Sequence, residues 1–304
     1  MRIHQAVQQA LAEKRAVVAL ESTVITHGLP RPDNLALARR LERVIRDAGA
    51  VPATIGMVSG ELVVGLTEDE LSYLATTDAH KASLWNLAAL AAQGSDAGTT
   101  VATTLHAAAL AGIEVFATGG IGGVHKTAGG TPYDESADLI ALSRSPVVVV
   151  CAGAKSILDL AATKERLESL GVPLVGYRAD KLAGFYVPET SFDVPIRCDS
   201  PKEVAALFKR AKDLRLSSSL LVAKPVSEGL EPPEVETWLA QAQREADERE
   251  LSGKDVTPYL LARLGELSKG RTTEVNVRLL EENARLAAEV ALALVAKPLG
   301  VRLV

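Results

Sequence analysis

Three runs in this chain, AVVALE (16–21), IEVFAT (113–118) and PVVVVCA (146–152), are almost unbroken stretches of apolar, largely β-branched residues. A strand with one wet face alternates polar and apolar residues. An unbroken run needs cover on both faces, as in a parallel sheet between helices. Five more strand candidates, VPATIGMV (51–58), ELVVGL (61–66), VPLVGY (172–177), FDVPIRC (192–198) and SSLLVAK (218–224), share the chain with helical stretches. Those stretches lie near 3–14, 33–48, 67–77, 80–92, 100–111, 136–144, 156–170, 201–213, 233–249, 257–267 and 273–296. The alternation predicts a layered α/β fold with a largely parallel sheet. From about residue 228 the chain turns charged and helical, with no linker to set that portion apart, and DERELSGKD reads as a solvated helix end and loop.

Length and composition exclude some partners. The 304 residues are 47% hydrophobic with a formal net charge of -5, and no lysine-arginine block or basic-aromatic stripe is present. Nucleic acid is therefore not an expected partner, whereas a small anionic substrate needs only local positive charge. Cys151 and Cys198 lack disulfide or metal spacing and read as buried thiols in a reducing compartment. The N-terminal MRIHQAVQQALAEKRAV has no apolar core of a signal peptide, and VATTLHAAALAGIEVFAT is broken by His106, Gly112 and Glu114. The expectation is a soluble, cytoplasmic protein without a membrane partner.

The three apolar runs lead into loops rich in reactive residues: ESTVITHGLPRP, GGIGGVHKTAGGTPYD and AGAKS. Ligands of open parallel sheets collect at such strand ends, so Glu21, His125, Asp134, Asp138 and Lys155 face one cleft if the strands are neighbours. Ser156 and Asp159 read as a capping box that starts a helix at Ser156. That would set Lys155 at the positive helix end, where an ammonium is disfavoured and a nucleophilic amine favoured; a snorkelling lysine or an anion-binding one is the alternative. The glycine-rich loop fits neither the Walker nor the Rossmann spacing, and reads either as an anion cradle or as a flexible surface loop. Asp134 and Asp138 suit magnesium or manganese better than zinc, or one of them simply caps a helix. Glu21, at a strand end, is a candidate general acid. GSDAGTTVATTL offers a second anion site at a helix start near Thr100 and Val101. His4, His80 and His106 read as structural.

With these loops on the page, the chain resembles the pseudouridine-5'-phosphate glycosidase family, also described as indigoidine-synthase-A-like. The resemblance rests on ALESTVITHGLPRPDN, KAS at 81–83, GTTVATT, AGIEVFATGGIGGVHK, YDESADL, VVVCAGAKSILDL, GVPLVGY, TPYLLARL and LEENARLAAEVA. It implies a three-layer α/β/α fold with a central, largely parallel mixed sheet, as one catalytic domain over residues 1–304. It further implies reversible cleavage of pseudouridine 5'-phosphate to uracil and ribose 5-phosphate, one Mn2+ per subunit, and a homotrimer. The resemblance makes Lys155 the nucleophile, Glu21 the proton donor and Asp134 the metal ligand. Lys81, Val101, Ser136, Ala137 and Asp138 become substrate contacts, with His125 and Asn276 as further site members.

The implied chemistry is a carbon-oxygen lyase (hydro-lyase) reaction with glycosidase activity, through a lysine Schiff base and a ring-opened ribosyl adduct. Three places depart from the family pattern. Lys81 is followed by Ala82, Ser83, Leu84, Trp85 and Asn86 in place of a segment carrying two arginines and an aspartate; Lys224 replaces an asparagine; Thr273 and Glu274 precede the Asn276 turn. These departures bear on the substrate more than on the mechanism. The competing readings are a Schiff-base lyase or glycosidase for another sugar phosphate, and a catalytically silent nucleotide-binding accessory protein.

Overall fold

The structure, a computed structural model, describes residues 1–126, 134–249, 251 and 256–296. Its strands are β1 (Arg2–Ile3), β2 (Val17–Leu20), β3 (Val51–Val58), β4 (Glu61–Val64), β5 (His80–Ala82), β6 (Ala97–Thr99), β7 (Val115–Ala117), β8 (Val124–His125), β9 (Val148–Cys151), β10 (Leu158–Asp159), β11 (Leu174–Tyr177), β12 (Ile196–Cys198) and β13 (Leu220–Ala223). The helices are α1 (Gln5–Ala12), α2 (Asp33–Asp47), α3 (Glu68–Thr76), α4 (Leu87–Ala92), α5 (Val101–Ala111), α6 (Ala137–Arg144), α7 (Leu160–Ser169), α8 (Pro201–Asp213), α9 (Pro232–Glu248), α10 (Val256–Leu267) and α11 (Arg271–Val295).

The main sheet runs β1-β4-β3-β2-β7-β9-β13-β11-β12, with β5 and β6 branching from β3. Pairing is parallel from β3 through β12, while β4 and β6 meet β3 antiparallel. The sheet is therefore mixed and largely parallel, as the apolar runs predict. Val147, Val148, Val149 and Val150 have no exposed surface. Burying each such side chain contributes about 1.5–3 kcal/mol, which exceeds the roughly 1–2 kcal/mol cost of fixing its backbone.

Helix α11 packs on α2 and α8 and across β2, β7 and β9, and α5 packs on α6 and across β2, β3 and β7. Because β-α-β crossovers are right-handed, α2 (leading from β2 to β3) and α6 (leading from β7 to β9) cover opposite faces. That is the three-layer arrangement.

From β2 the chain crosses one way, to β3, and from β7 it crosses the other, to β9. The gap between the carboxyl ends of β2 and β7 is thus the switch point at which parallel sheets place ligands.

Several local expectations are corrected. Residues 80–86 are a short strand and turn rather than helix, because β5 pairs with β6. Helix α7 starts at Leu160, capped by Asp159, whose carboxylate accepts the Ala162 N–H at 2.9 Å. Ser156 instead donates its hydroxyl to Gly184 O at 2.7 Å, so Lys155 is not at a helix start and the dipole argument does not apply to it. Both cysteines are buried free thiols, and burial pushes Cys151 up to about 12. No helix among the described residues is long and apolar enough to cross a membrane.

Candidate active site

A cavity of about 670 Å³ opens at the switch point, lined by Glu21, Lys81, Lys155 and Asn276 among others. Its floor comes from the loops after β2, β7 and β9. One wall comes from α10 and α11, through Leu261, Glu266, Thr273 and Leu280.

Glu21 follows the last residue of β2 and is 9% exposed. Thr118, just past β7, donates its hydroxyl to one Glu21 carboxylate oxygen, and Thr23 donates to the other. Asn283 of α11 donates its amide to Thr118 O at 2.9 Å, tying the helix wall to this strand end.

Lys155 is placed by pairing that continues past the strands. Ile121 donates its N–H to Gly153 O at 3.1 Å, and Lys155 donates its N–H to Ile121 O at 3.1 Å. Gly153 turns the chain out of β9 at φ +87°, where a Cβ would lie 2.2 Å from Ala183 O. Only glycine allows that turn.

Lys81 extends from β5 into the same cavity, open to its solvent yet surrounded by protein. That enclosure holds its ammonium below the ordinary lysine range; the charge of Lys155 adds to the effect, and Asp138 and Glu21 oppose it. Asn86 clamps the Lys81 loop: its carbonyl oxygen accepts Ser83 N–H at 2.8 Å and its amide donates to Lys81 O at 3.1 Å. Trp85, beside it, is 82% exposed. His27, in a π-helical turn Val24–Gly28, also lines the cavity. Burial and then Lys81 hold its imidazole below the ordinary range.

The remaining sequence-derived residues stand outside the cavity lining. Asp138 is buried, with one carboxylate oxygen accepting Ala102 N–H at 2.9 Å and the other Gly122 N–H at 2.8 Å. It thus fills, with the chain's own carboxylate, the anion position at the start of α5. Ser136 caps α6 by accepting Asp138 N–H, Ala137 begins that helix, and buried Val101 begins α5. His125 and Asp134 face each other beside the antiparallel bridge of Val124 and Glu135, Nδ1 to carboxylate oxygen at 3.1 Å.

In its described part the glycine-rich loop is packed against the protein rather than free at the surface, and Gly119 and Gly120 line the cavity. A Cβ on Gly120 would meet the Phe185 ring at 2.6 Å, and one on Gly122 the Ser136 hydroxyl at 2.3 Å. The N–H groups of Ile121, Gly122 and Val124 are all held by the protein. Residues 127–133 of that loop, and residues 250 and 252–255 of the segment read as a solvated loop, lie outside the described residues.

Sequence reasoning missed Thr118, Thr23, His27, Tyr186 and Asn283. Thr118 and Thr23 carried one usable signal, a hydroxyl at or near the end of an apolar strand. Tyr186 and Asn283 are brought in by tertiary packing alone.

A cavity at the switch point of a parallel sheet, with the amines of Lys81 and Lys155 and the carboxylates of Glu21 and Glu266 in its lining, defines a small-molecule site. The chain belongs to the indigoidine synthase A like family, whose model matches residues 6–293. A pseudouridine-5'-phosphate glycosidase of Thermus thermophilus is 58% identical over 91% of this chain and 97% of its own. Its counterpart in Symbiobacterium thermophilum is 49% identical over 95% and 96%. Among solved structures, the prealnumycin C-glycosynthase AlnA in complex with ribulose 5-phosphate superposes with a TM-score of 0.89 at 39% identity, covering 96% of each chain.

Proposed function

We propose that this chain is a pseudouridine-5'-phosphate glycosidase, a single catalytic domain that cleaves the C–C bond between uracil and ribose 5-phosphate reversibly. The observation that carries the reading is that Lys155 and Glu21 line one cavity at the sheet's switch point. A silent binding protein needs neither group.

In this reading the Lys155 amine, after giving up a proton, attacks C1′, the bond from C1′ to the ring oxygen breaks, and Glu21 supplies the proton that oxygen takes. The adduct nitrogen, positively charged after the attack, gives up a proton. Its lone pair then forms the C1′=N bond as the bond from C1′ to uracil C5 breaks, and C5 takes up a proton, leaving an iminium on Lys155. Water hydrolyses the iminium to ribose 5-phosphate and regenerates the amine. This is lyase chemistry with a Schiff base, distinct from glycosidases that use two carboxylates and an oxocarbenium-like state. Lys81 would bind the phosphate with His27 beside it, and Asn276 would contact the sugar or base from α11. Val101 N–H, with no partner among the described residues, supports a substrate contact there, and Ser136, Ala137 and Asp138 would frame that edge.

The Asp134 carboxylate, 46% exposed and flanked by His125, is a hard-oxygen donor that suits a divalent cation keeping most of its water shell. Asp134 would hold Mn2+, one per subunit, whose charge would offset that of the substrate phosphate. The assembly proposed is a cytoplasmic homotrimer.

The test is release of uracil from pseudouridine 5'-phosphate by the purified protein with Mn2+, together with borohydride trapping of ribose 5-phosphate on the Lys155 peptide. Absence of both sinks the reading. A trapped adduct without uracil release favours a Schiff-base enzyme for a different acceptor, a reading supported by the Leu84-Trp85-Asn86 departure and by the likeness to a C-glycosynthase.

A further inference from the structure

The turn at Gly184–Val187 presents two consecutive aromatic side chains, Phe185 and Tyr186, to the cavity. Gly184 donates its N–H to Val187 O at 3.1 Å, closing the turn. Phe185 sits at φ +66°, a region bulky residues avoid unless their surroundings hold them there.

What holds it is the loop of Lys155. Phe185 N–H donates to Ala152 O at 2.9 Å, the Ser156 hydroxyl donates to Gly184 O at 2.7 Å, and Tyr186 N–H reaches the Ser156 oxygen at 3.4 Å. The two rings meet edge to face with centroids 4.8 Å apart. Tyr186 is therefore fixed relative to the nucleophile, not merely near it.

Tyr186 is only 4% exposed, and its hydroxyl has no hydrogen-bond partner among the described residues. Every fully buried side-chain nitrogen or oxygen described does have a partner. The Tyr186 hydroxyl thus keeps an open face, and the space its residue lines is the cavity. Burial raises its pKa, so it is a neutral donor at physiological pH. A phenylalanine would fill the same space with no polar atom to satisfy, so the hydroxyl is what tyrosine adds at this position. Phe185 stacks on the Tyr186 ring edge to face, and Leu261 and Leu280 add apolar surface to the same cavity, which suits a flat heterocycle, while Lys81 and His27 suit a phosphate.

We propose that the Tyr186 hydroxyl recognises the nucleobase, donating a hydrogen bond to a ring carbonyl oxygen of the pyrimidine on C1′. The assignment rests on the glycosidase reading and extends it to the basis of base selection. A site built to hydrogen-bond one group discriminates strongly against ligands lacking it.

The test is Tyr186→Phe, which keeps the ring and its packing. Two reactions are compared with the parent: cleavage of pseudouridine 5'-phosphate, and borohydride trapping of ribose 5-phosphate on Lys155, which involves no base. The expected result is about a tenfold fall in kcat/KM for cleavage, with trapping and melting temperature unchanged. Unchanged kcat/KM, or an equal loss in trapping, overturns the assignment. A parent protein that traps ribose 5-phosphate but never releases uracil overturns the glycosidase reading, and the assignment with it.

Discussion

The Thr118 hydroxyl donates to the Glu21 carboxylate across the carboxyl ends of β2 and β7, with Thr23 holding the second oxygen. Two neighbouring strands that lead in opposite directions are thus joined at their divergence by the group proposed to move a proton. The hydroxyls fix the direction of the carboxylate, so removing one should harm chemistry more than binding. Thr118→Val, of near-equal shape, is expected to lower kcat about tenfold with KM little changed. Glu21→Gln, which cannot donate the proton, should lose about 10²- to 10⁴-fold. Steady-state uracil release distinguishes the two; a rise in KM alone for Thr118→Val would place Glu21 outside the chemistry.

Lys81 carries a pH prediction. Enclosure in the cavity and the charge of Lys155 hold it below the ordinary lysine value near 10.5. A phosphate contact needs the ammonium, so KM should begin to rise on the alkaline side before pH 10.5. Lys81→Arg, whose charge persists, should move that rise to higher pH. The linkage has the opposite sign for stability. The unfolded chain binds this proton more tightly, so the group's unfavourable contribution is full below its folded value and fades as pH rises toward 10.5. Lys81→Met should therefore be more stable than the parent at neutral pH, measured by urea unfolding, and the difference should shrink in alkali.

Two glycines in the loops that frame Lys155 give a graded packing test. Gly153 is at φ +87° with a backbone oxygen 2.2 Å from the position of an added Cβ, whereas a Cβ on Gly120 meets chiefly the Phe185 ring, at 2.6 Å, with the nearest backbone oxygen, Gly153 O, farther off at 3.0 Å. A ring can shift by a few tenths of an ångström; a carbonyl within paired loops cannot. Gly120→Ala is expected to cost about 1–3 kcal/mol, and Gly153→Ala more than that, because strain adds to the clash. Denaturant midpoints give the order. Equal losses would show that the Lys155 loop yields as readily as a side chain.

The sequence reveals this fold best where burial is two-sided. Val148–Cys151 and Val17–Leu20 read as strands from their apolar runs because both faces are covered. His80–Ala82 does not: its polarity is mixed, and only β6, itself recruited by β3, makes it a strand. The start of α7 is misread for a related reason. Ser156 has the right local pattern for a cap, but its hydroxyl is taken by Gly184, 28 residues away. Lys155 and Glu21 are legible because each ends an apolar run. Tyr186 is not, since nothing near it in sequence says that its turn folds over the lysine.

The substitution at Lys224 has a visible partner. Lys224, at the end of β13, pairs with Glu282 of α11, and Ser227 donates to the same carboxylate. Glu282 precedes Asn283, the residue that ties α11 to Thr118, so this pair helps seat the helix that walls the cavity. Burial opposes the Glu282 charge, but the hydrogen bonds from Lys224 and Ser227 outweigh it and hold the carboxyl below its ordinary value near 4.5. A depressed carboxylate contributes stability above the unfolded value and loses it as pH falls through the folded one. Glu282→Gln should therefore be less stable than the parent at neutral pH by about 1 kcal/mol, with the gap closing as pH drops below 4.5. Urea unfolding across that range, with uracil release measured in parallel, reads both the clamp and its reach to the site. A gap that stays constant with pH would mean that Glu282 acts by packing and not by charge.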